Sequence, residues 1–121
     1  MRFDELRATI LAWPGVEDGT SYGTPALKVK GRLLTRLLED GDSLVVKGVD
    51  TDERAWLVES EPEVYYFTEH YRGWPIVLAR LSKADPVALG ALLLREWRAL
   101  APKRLVAEYE AAQGKGDPGG R

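Results

Sequence analysis

The segment Pro25-Ala26-Leu27-Lys28-Val29-Lys30-Gly31-Arg32-Leu33-Leu34-Thr35-Arg36-Leu37-Leu38-Glu39-Asp40-Gly41-Asp42-Ser43-Leu44-Val45-Val46-Lys47 decides the fold class. Leu27 and Val29 alternate with Lys28 and Lys30, so a strand here turns apolar side chains to one sheet face and cations to the other. Gly31 marks a tight turn. Residues 32–39 and 43–49 are β-like runs, and Asp40-Gly41-Asp42 between them is a strong hairpin signal. Three antiparallel strands are predicted.

Upstream, Phe3, Leu6, Ile10 and Leu11 fall on one helical face, which predicts a helix over residues 2–12 ended by Trp13, Pro14 and Gly15. A loop rich in Gly, Ser and Thr connects it to the first strand. Downstream, Asp50 and Glu53 have capping-box spacing, so a helix is expected over 51–59 with Trp56 and Leu57 as its core contacts. Val64 to Phe67 and Pro75 to Leu81 read as two further strands flanking a loop from Thr68 to Trp74. Asp85 and Pro86 form an N-cap and first-turn pair. The helix they open buries Leu89, Leu92, Leu93, Trp97 and Leu100, and its near-continuous apolar surface marks it as the helix laid across the sheet. Pro102 can start a last short helix carrying Leu105, Val106 and Tyr109. The expected organisation is one α+β domain over residues 1–112, a two-layer sandwich with helices on one face of an antiparallel sheet, followed by a disordered tail over 113–121.

The 121 residues include no Cys and one His. A disulfide framework, a CxxC zinc site, a thiol nucleophile and any site needing two imidazoles are therefore excluded. No apolar run of signal-peptide length follows Met1, and none approaches the ~20 residues that span a bilayer. A soluble, cytoplasmic protein without membrane association is expected. The net charge of -2 is unlike that of a strongly basic nucleic-acid binder. It averages over blocks, however: Lys28, Lys30, Arg32 and Arg36 fall in an acid-free stretch, residues 39–63 are acidic, and residues 72–104 are basic again. Such blocks serve either as a bipolar surface or as ion-pair partners for one another.

Gly19-Thr20-Ser21-Tyr22-Gly23 matches the G-x-S-x-G pattern of a nucleophile elbow, with Asp42 and His70 later in the chain. That elbow requires a strand before it and a helix after it. Here a helix precedes and a strand follows, so the match is accidental and no catalytic residue is expected. His70 lacks partners at metal-ligand spacing, and its simplest role is to shape its loop through a ring hydrogen bond. No metal or cofactor is expected. Trp74, between Gly73 and Pro75 and close to Tyr71, is the best candidate for an exposed aromatic able to stack on a base or fill a partner's pocket.

Four stretches in register resemble the MmcQ/YjbR family of small bacterial proteins. They are Leu11 to Glu17 running into Ser21-Tyr22-Gly23-Thr24-Pro25, Leu27 to Leu33, His70-Tyr71-Arg72-Gly73-Trp74-Pro75, and Trp97 followed by Ala101-Pro102-Lys103-Arg104-Leu105. Leu27 and Leu34 stand where the family pattern has Phe. The resemblance implies an α-β3-α-β2-α layout similar to type III secretion chaperones, with one five-stranded sheet in the order 1-2-3-5-4. It also implies DNA binding through two wing-like hairpins projecting from one sheet end. Lys28, Lys30, Arg32 and Arg36 would then meet phosphates from the first wing, and Arg72 and His70 from the second, with Tyr71 and Trp74 offering stacking surfaces. DNA binding of this kind is weak and non-specific. The alternative is a non-enzymatic adaptor that recognises a protein partner or a small ligand through Tyr22, Tyr71 and Trp74. A monomer is the expected state.

Overall fold

The computed structural model describes residues 1–115. Helix α1 spans Phe3–Leu11, and a hairpin of β1 (Val16–Ser21) and β2 (Thr24–Val29) leads into β3 (Arg32–Arg36). Then come β4 (Ser43–Lys47), α2 (Thr51–Ser60), β5 (Tyr65–Tyr66), a 3-10 turn at Glu69–Tyr71, β6 (Ile76–Arg80), α3 (Pro86–Leu100) and α4 (Lys103–Lys115). The α+β class is as expected. Helix α4 runs into the segment expected as a tail, and residues 116–121 lie outside those described.

The sheet differs from the expectation in two ways. First, the Gly-, Ser- and Thr-rich stretch expected as a loop is strand β1, an edge strand paired antiparallel with β2 from Val16↔Val29 to Ser21↔Thr24. Second, the strands form two three-stranded antiparallel sheets, β1-β2-β3 and β4-β6-β5, in place of one five-stranded sheet. Between β3 and β4 the backbone makes only the Leu37↔Leu44 bridge, beside a bond from the Leu38 N–H to the Ser43 carbonyl at 2.8 Å. A bulge explains the break. Leu27 faces Thr35 while Lys28 faces Leu33, so Leu34 is an extra residue on β3 that twists the strand out of line with β4.

Side chains take over where the ladder stops. The Thr35 hydroxyl donates to the Val45 carbonyl at 2.6 Å, and the Lys47 ammonium to the Leu33 carbonyl at 2.8 Å. Both carbonyls along this seam are thereby satisfied, as buried backbone acceptors must be.

Both hairpins of the first sheet close with two consecutive residues at positive φ, Tyr22 (53°) with Gly23 (79°) and Lys30 (51°) with Gly31 (82°). This is the I′ arrangement whose twist matches that of the flanking strands. The β3–β4 turn is held by Asp40. Its carboxylate accepts from the Asp42 and Ser43 amides at 2.9 and 2.8 Å and from the Ser43 hydroxyl at 2.7 Å. As expected from sequence, Asp50 caps α2 through the Glu53 amide, and Asp85 caps α3 through the Ala88 amide.

Strand alternation divides the faces. Leu27, Val29, Leu44, Val46, Val77 and Ala79 join the core beneath Leu6, Ile10, Leu89, Leu93, Trp97 and Leu105 of the helices. Helix α3 touches both β3 and β4, so it lies across the seam from the helical side. Trp97 is fully buried at its centre, donates its indole N–H to the Pro14 carbonyl at 3.0 Å, and packs against Trp13 and Tyr109. Trp56, expected in the core, is instead 65% exposed. Arg54 and Leu57 take the inward positions of α2, and Trp56, two residues from Arg54, falls about 200° around the helix from it.

Two outcomes follow for stability. Trp97→Ala removes the largest core side chain and is expected to cost about 3–5 kcal/mol in a urea titration. For Asp40, partial burial works against the charged form, but the amide and hydroxyl donors outweigh it and hold the carboxyl below its ordinary value of 3.8. A depressed carboxyl stabilises the fold above that ordinary value and loses the contribution as pH falls through the folded-state value. Asp40→Asn should therefore lower the melting temperature at pH 7, with the gap to the parent closing below about pH 4.

Candidate binding groove at the seam between the sheets

The face opposite the helices carries the other strand parity, with Lys28 beside Leu33, and Val45 and Lys47 beside Leu78 and Ile76. The segment leading into β6 folds over this face. What fixes it there is Arg54, which rises from α2 and is 5% exposed. Its Nη1 donates to the carbonyls of Tyr71, Trp74 and Ile76 at 3.1, 3.0 and 3.1 Å, and its Nη2 to that of Arg72 at 2.9 Å. The guanidinium also lies over the Phe67 ring at 4.0 Å. A buried cation is tolerated only when its hydrogens are satisfied, and here backbone carbonyls and a π-face do the work of a carboxylate.

With the loop so held, a groove of about 410 Å³ opens over the seam, lined by Tyr22, Leu33, Arg36, Val45, Lys47, His70, Tyr71, Trp74 and Ile76. Its floor is the apolar trio Leu33, Val45 and Ile76. Its rim is aromatic: Tyr22 is 86% and Trp74 61% exposed, and the His70 ring stands edge-on to Tyr71 with centroids 4.7 Å apart. No carboxylate lines it. The two cations differ in their surroundings. Lys47 is committed to the Leu33 carbonyl and lies 3.8 Å from the Glu96 carboxylate. Arg36, buried to 9% exposure, bonds only neutral hydroxyls, Thr24 Oγ1 at 3.2 Å and Tyr71 Oη at 3.1 Å, and lies 5.1 Å from the centre of the Tyr22 ring. Among the described residues it takes part in no ion pair. The Arg36–Tyr71 bond also ties β3 of the first sheet to the loop entering the second.

Of the residues picked out in the sequence, Arg36, His70, Tyr71 and Trp74 meet at this groove. Lys28, Lys30, Arg32 and Arg72 do not line it. Lys28 shares the groove face but runs its stem along Gly19 of β1. Lys30 sits in the I′ turn, and Arg32 reaches toward the Leu100 carbonyl at 3.4 Å. Arg72 is paired with Glu69 at 2.6 Å, and its hydrogen bond and charge hold the Glu69 carboxyl below its ordinary value. His70 makes its recorded contact through the Tyr71 ring, where a ring hydrogen bond was expected.

Tyr22, named with Tyr71 and Trp74 for the adaptor alternative, lines the groove as well. Lys47 and Arg54 are the additions, and nothing in the sequence distinguishes Arg54 from a solvated charge. The G-x-S-x-G stretch forms the end of β1 and a turn into β2, so a strand, not a helix, precedes Ser21, and no helix follows it. Asp42 accepts from the Ser82 amide and hydroxyl at 2.8 and 2.7 Å.

The fold and groove define a small α+β domain with two three-stranded sheets and an aromatic, acid-free recess between them. Residues 11–99 match the YjbR family, and the chain belongs to that family. It is similar to an uncharacterized protein of Mycobacterium bovis and to uncharacterized proteins of two Mycobacterium tuberculosis strains. Each is 36% identical over 97 residues, covering 78% of this chain and 75% of the relative. No solved structure matches the chain. Among the described residues no helix is long and apolar enough to cross a membrane.

Arg54→Leu removes the guanidinium from four carbonyls, of which those of Tyr71 and Trp74 keep a backbone donor. It is expected to cost about 1–3 kcal/mol in chemical denaturation. It should also speed amide hydrogen exchange at Trp74 and Ile76 more than at the core residue Val46.

Proposed function

We propose that this protein is a non-enzymatic nucleic-acid-binding module that holds unpaired DNA weakly, with little sequence preference, at the face bearing the groove. The observation that carries the reading is the groove's composition: Tyr22, His70, Tyr71 and Trp74 around Arg36 and Lys47, with no carboxylate among the lining residues. Unpaired bases stack on exposed rings, and the absence of acid lets a phosphate approach. Lys28 lies on the same face, but Lys30 and Arg32 do not extend it: the Lys30 stem runs beside Gly15, and Arg32, opposite the core residue Val29, reaches the Leu100 carbonyl at the end of α3. The segment carrying Arg72 supplies the second wing. Because Arg72 is paired with Glu69 and Lys47 lies beside Glu96, Arg36 is the groove-side cation left without an acidic partner among the described residues, so stacking contributes more and phosphate attraction less than the two-wing picture implies.

A second reading, a small-ligand adaptor, draws on the groove's size. About 410 Å³ falls within the ~300–1,000 Å³ common for small-molecule pockets.

Anisotropy titrations with single- and double-stranded DNA at two salt concentrations test the proposal. The dissociation constant should be about micromolar or weaker near physiological salt and should rise as salt is added. Trp74→Ala should weaken single-strand binding by about 1–3 kcal/mol and leave duplex binding nearly unchanged. Lys28→Glu should weaken both while melting near the parental temperature, since partly exposed charges add little to stability, and Lys30→Glu with Arg32→Glu, which lie off the groove face, should change binding less. Absence of binding to either DNA at low salt would overturn the module and leave the adaptor.

A further inference from the structure

We infer that the groove is a site for one nucleotide unit bearing a terminal phosphate, either a nucleoside monophosphate or the phosphorylated end of a strand. The base lies on Trp74 and the phosphate meets Arg36. The inference rests on the proposed nucleic-acid role and narrows it to a ligand class.

Three observations carry it. The first is the state of Arg36: a guanidinium buried to 9% exposure whose side-chain partners are two neutral hydroxyls and which is in no ion pair among the described residues. Such a cation lacks the counter-charge that usually accompanies burial, and a planar fork suits a phosphate's oxygens. The Tyr71 hydroxyl, which accepts from Arg36, can donate its own proton to the same oxygens, whereas that of Thr24 already donates to the Ser21 carbonyl at 2.9 Å. Lys47 is not a rival for this role, because it is spent on the Leu33 carbonyl and the nearby Glu96.

The second observation is the separation of functions within the recess. Tyr22 and Trp74 present their rings at the rim, Leu33, Val45 and Ile76 form an apolar floor, and the guanidinium lies in the wall. A planar ring joined to an anion matches that order. A free inorganic anion leaves the rings unused, and a neutral ring leaves Arg36 uncompensated.

The third is charge. The Arg36–Tyr71 hydrogen bond holds the uncompensated guanidinium at the segment carrying His70 and Tyr71, both of which line the groove. A terminal phosphate brings close to two negative charges at neutral pH, against one for a diester, so it gains more from that guanidinium.

Calorimetric titration of the full chain separates the possibilities. The probes are adenosine 5′-monophosphate, adenosine, inorganic phosphate, and an oligothymidylate with and without a 5′-phosphate. The expected result is 1:1 binding of the monophosphate, at least about tenfold tighter than adenosine or inorganic phosphate, with a preference of the same sense for the 5′-phosphorylated oligonucleotide. Arg36→Met should erase the preference for the monophosphate over adenosine. If that variant melts early, the ligand series on the unaltered protein carries the test by itself. Equal affinity for adenosine and its monophosphate overturns the inference. Binding of both oligonucleotides alike, with no mononucleotide binding, overturns the terminal-phosphate site and leaves the module standing. Failure of every ligand removes both.

Discussion

Arg54 is the interaction on which the recognition face depends. An arginine at an inward position of α2 puts a full charge where the fold has no acid to meet it, and its four hydrogen bonds all go to carbonyls of residues 71–76. Two of them, those of Tyr71 and Trp74, also accept from the Trp74 and Ile76 amides within the segment, and Arg54 adds the donor that the Arg72 carbonyl needs and binds the whole turn to α2. The need is mutual: the loop neutralises the cation's desolvation, and the cation dictates the loop's path. Tyr71, His70 and Trp74 stand where they do because the carbonyls beside them are held.

That constraint reaches back into the helix. With Arg54 turned inward, Trp56 has to turn outward, so a residue whose type suggested the core ends up in solvent. The inward register also places Leu57 against the core, and it leaves Glu53 to meet Arg95 of α3 at 2.6 Å. The charge blocks resolve in this way. Lys47 and Glu53 of the acidic stretch pair with Glu96 and Arg95 of the basic one, and Arg7 pairs with Asp18. Much of the apparent bipolarity is consumed inside the fold, and the acid-free patch that survives is the one at the seam.

Most of the architecture was legible in the chain because its signals are local. Asp85 followed by Pro86 starts α3 at the residue expected, the stripe from Leu89 to Trp97 is buried, and Asp40-Gly41 makes its turn. The misses are tertiary in origin. Strand β1 is built from Gly19, Thr20 and Ser21, whose own preferences are for turns, and it exists because β2 offers it an edge. The bulge at Leu34 has no mark in a run of apolar residues, so the division into two sheets could not be read. For the site, the sequence identified Arg36, His70, Tyr71 and Trp74, and Tyr22 for the adaptor alternative, but grouped the first four with Lys28, Lys30, Arg32 and Arg72 by nearness in the chain. Distance along a hairpin says nothing about which face a side chain takes after a bulge. The placement of Arg36 in the groove wall, away from the other basic residues of its strand pair, follows from that shift.

The seam has a mechanical meaning as well. Backbone ladders hold neighbouring strands at about 4.8 Å and resist sliding because every rung is short and stiff. Beyond the Leu37–Leu44 bridge and the Leu38–Ser43 bond at one end, the rungs across β3 and β4 are the side chains of Thr35 and Lys47, one with a single rotatable bond and the other with four. The domain is thus two stiff plates with a compliant joint, backed on one side by α3 and spanned on the other by the Arg36–Tyr71 contact. Anything seated over the joint touches both plates at once and acts as a splint. Its occupancy is then felt along the whole sheet layer as a loss of shear motion, far beyond the atoms it contacts.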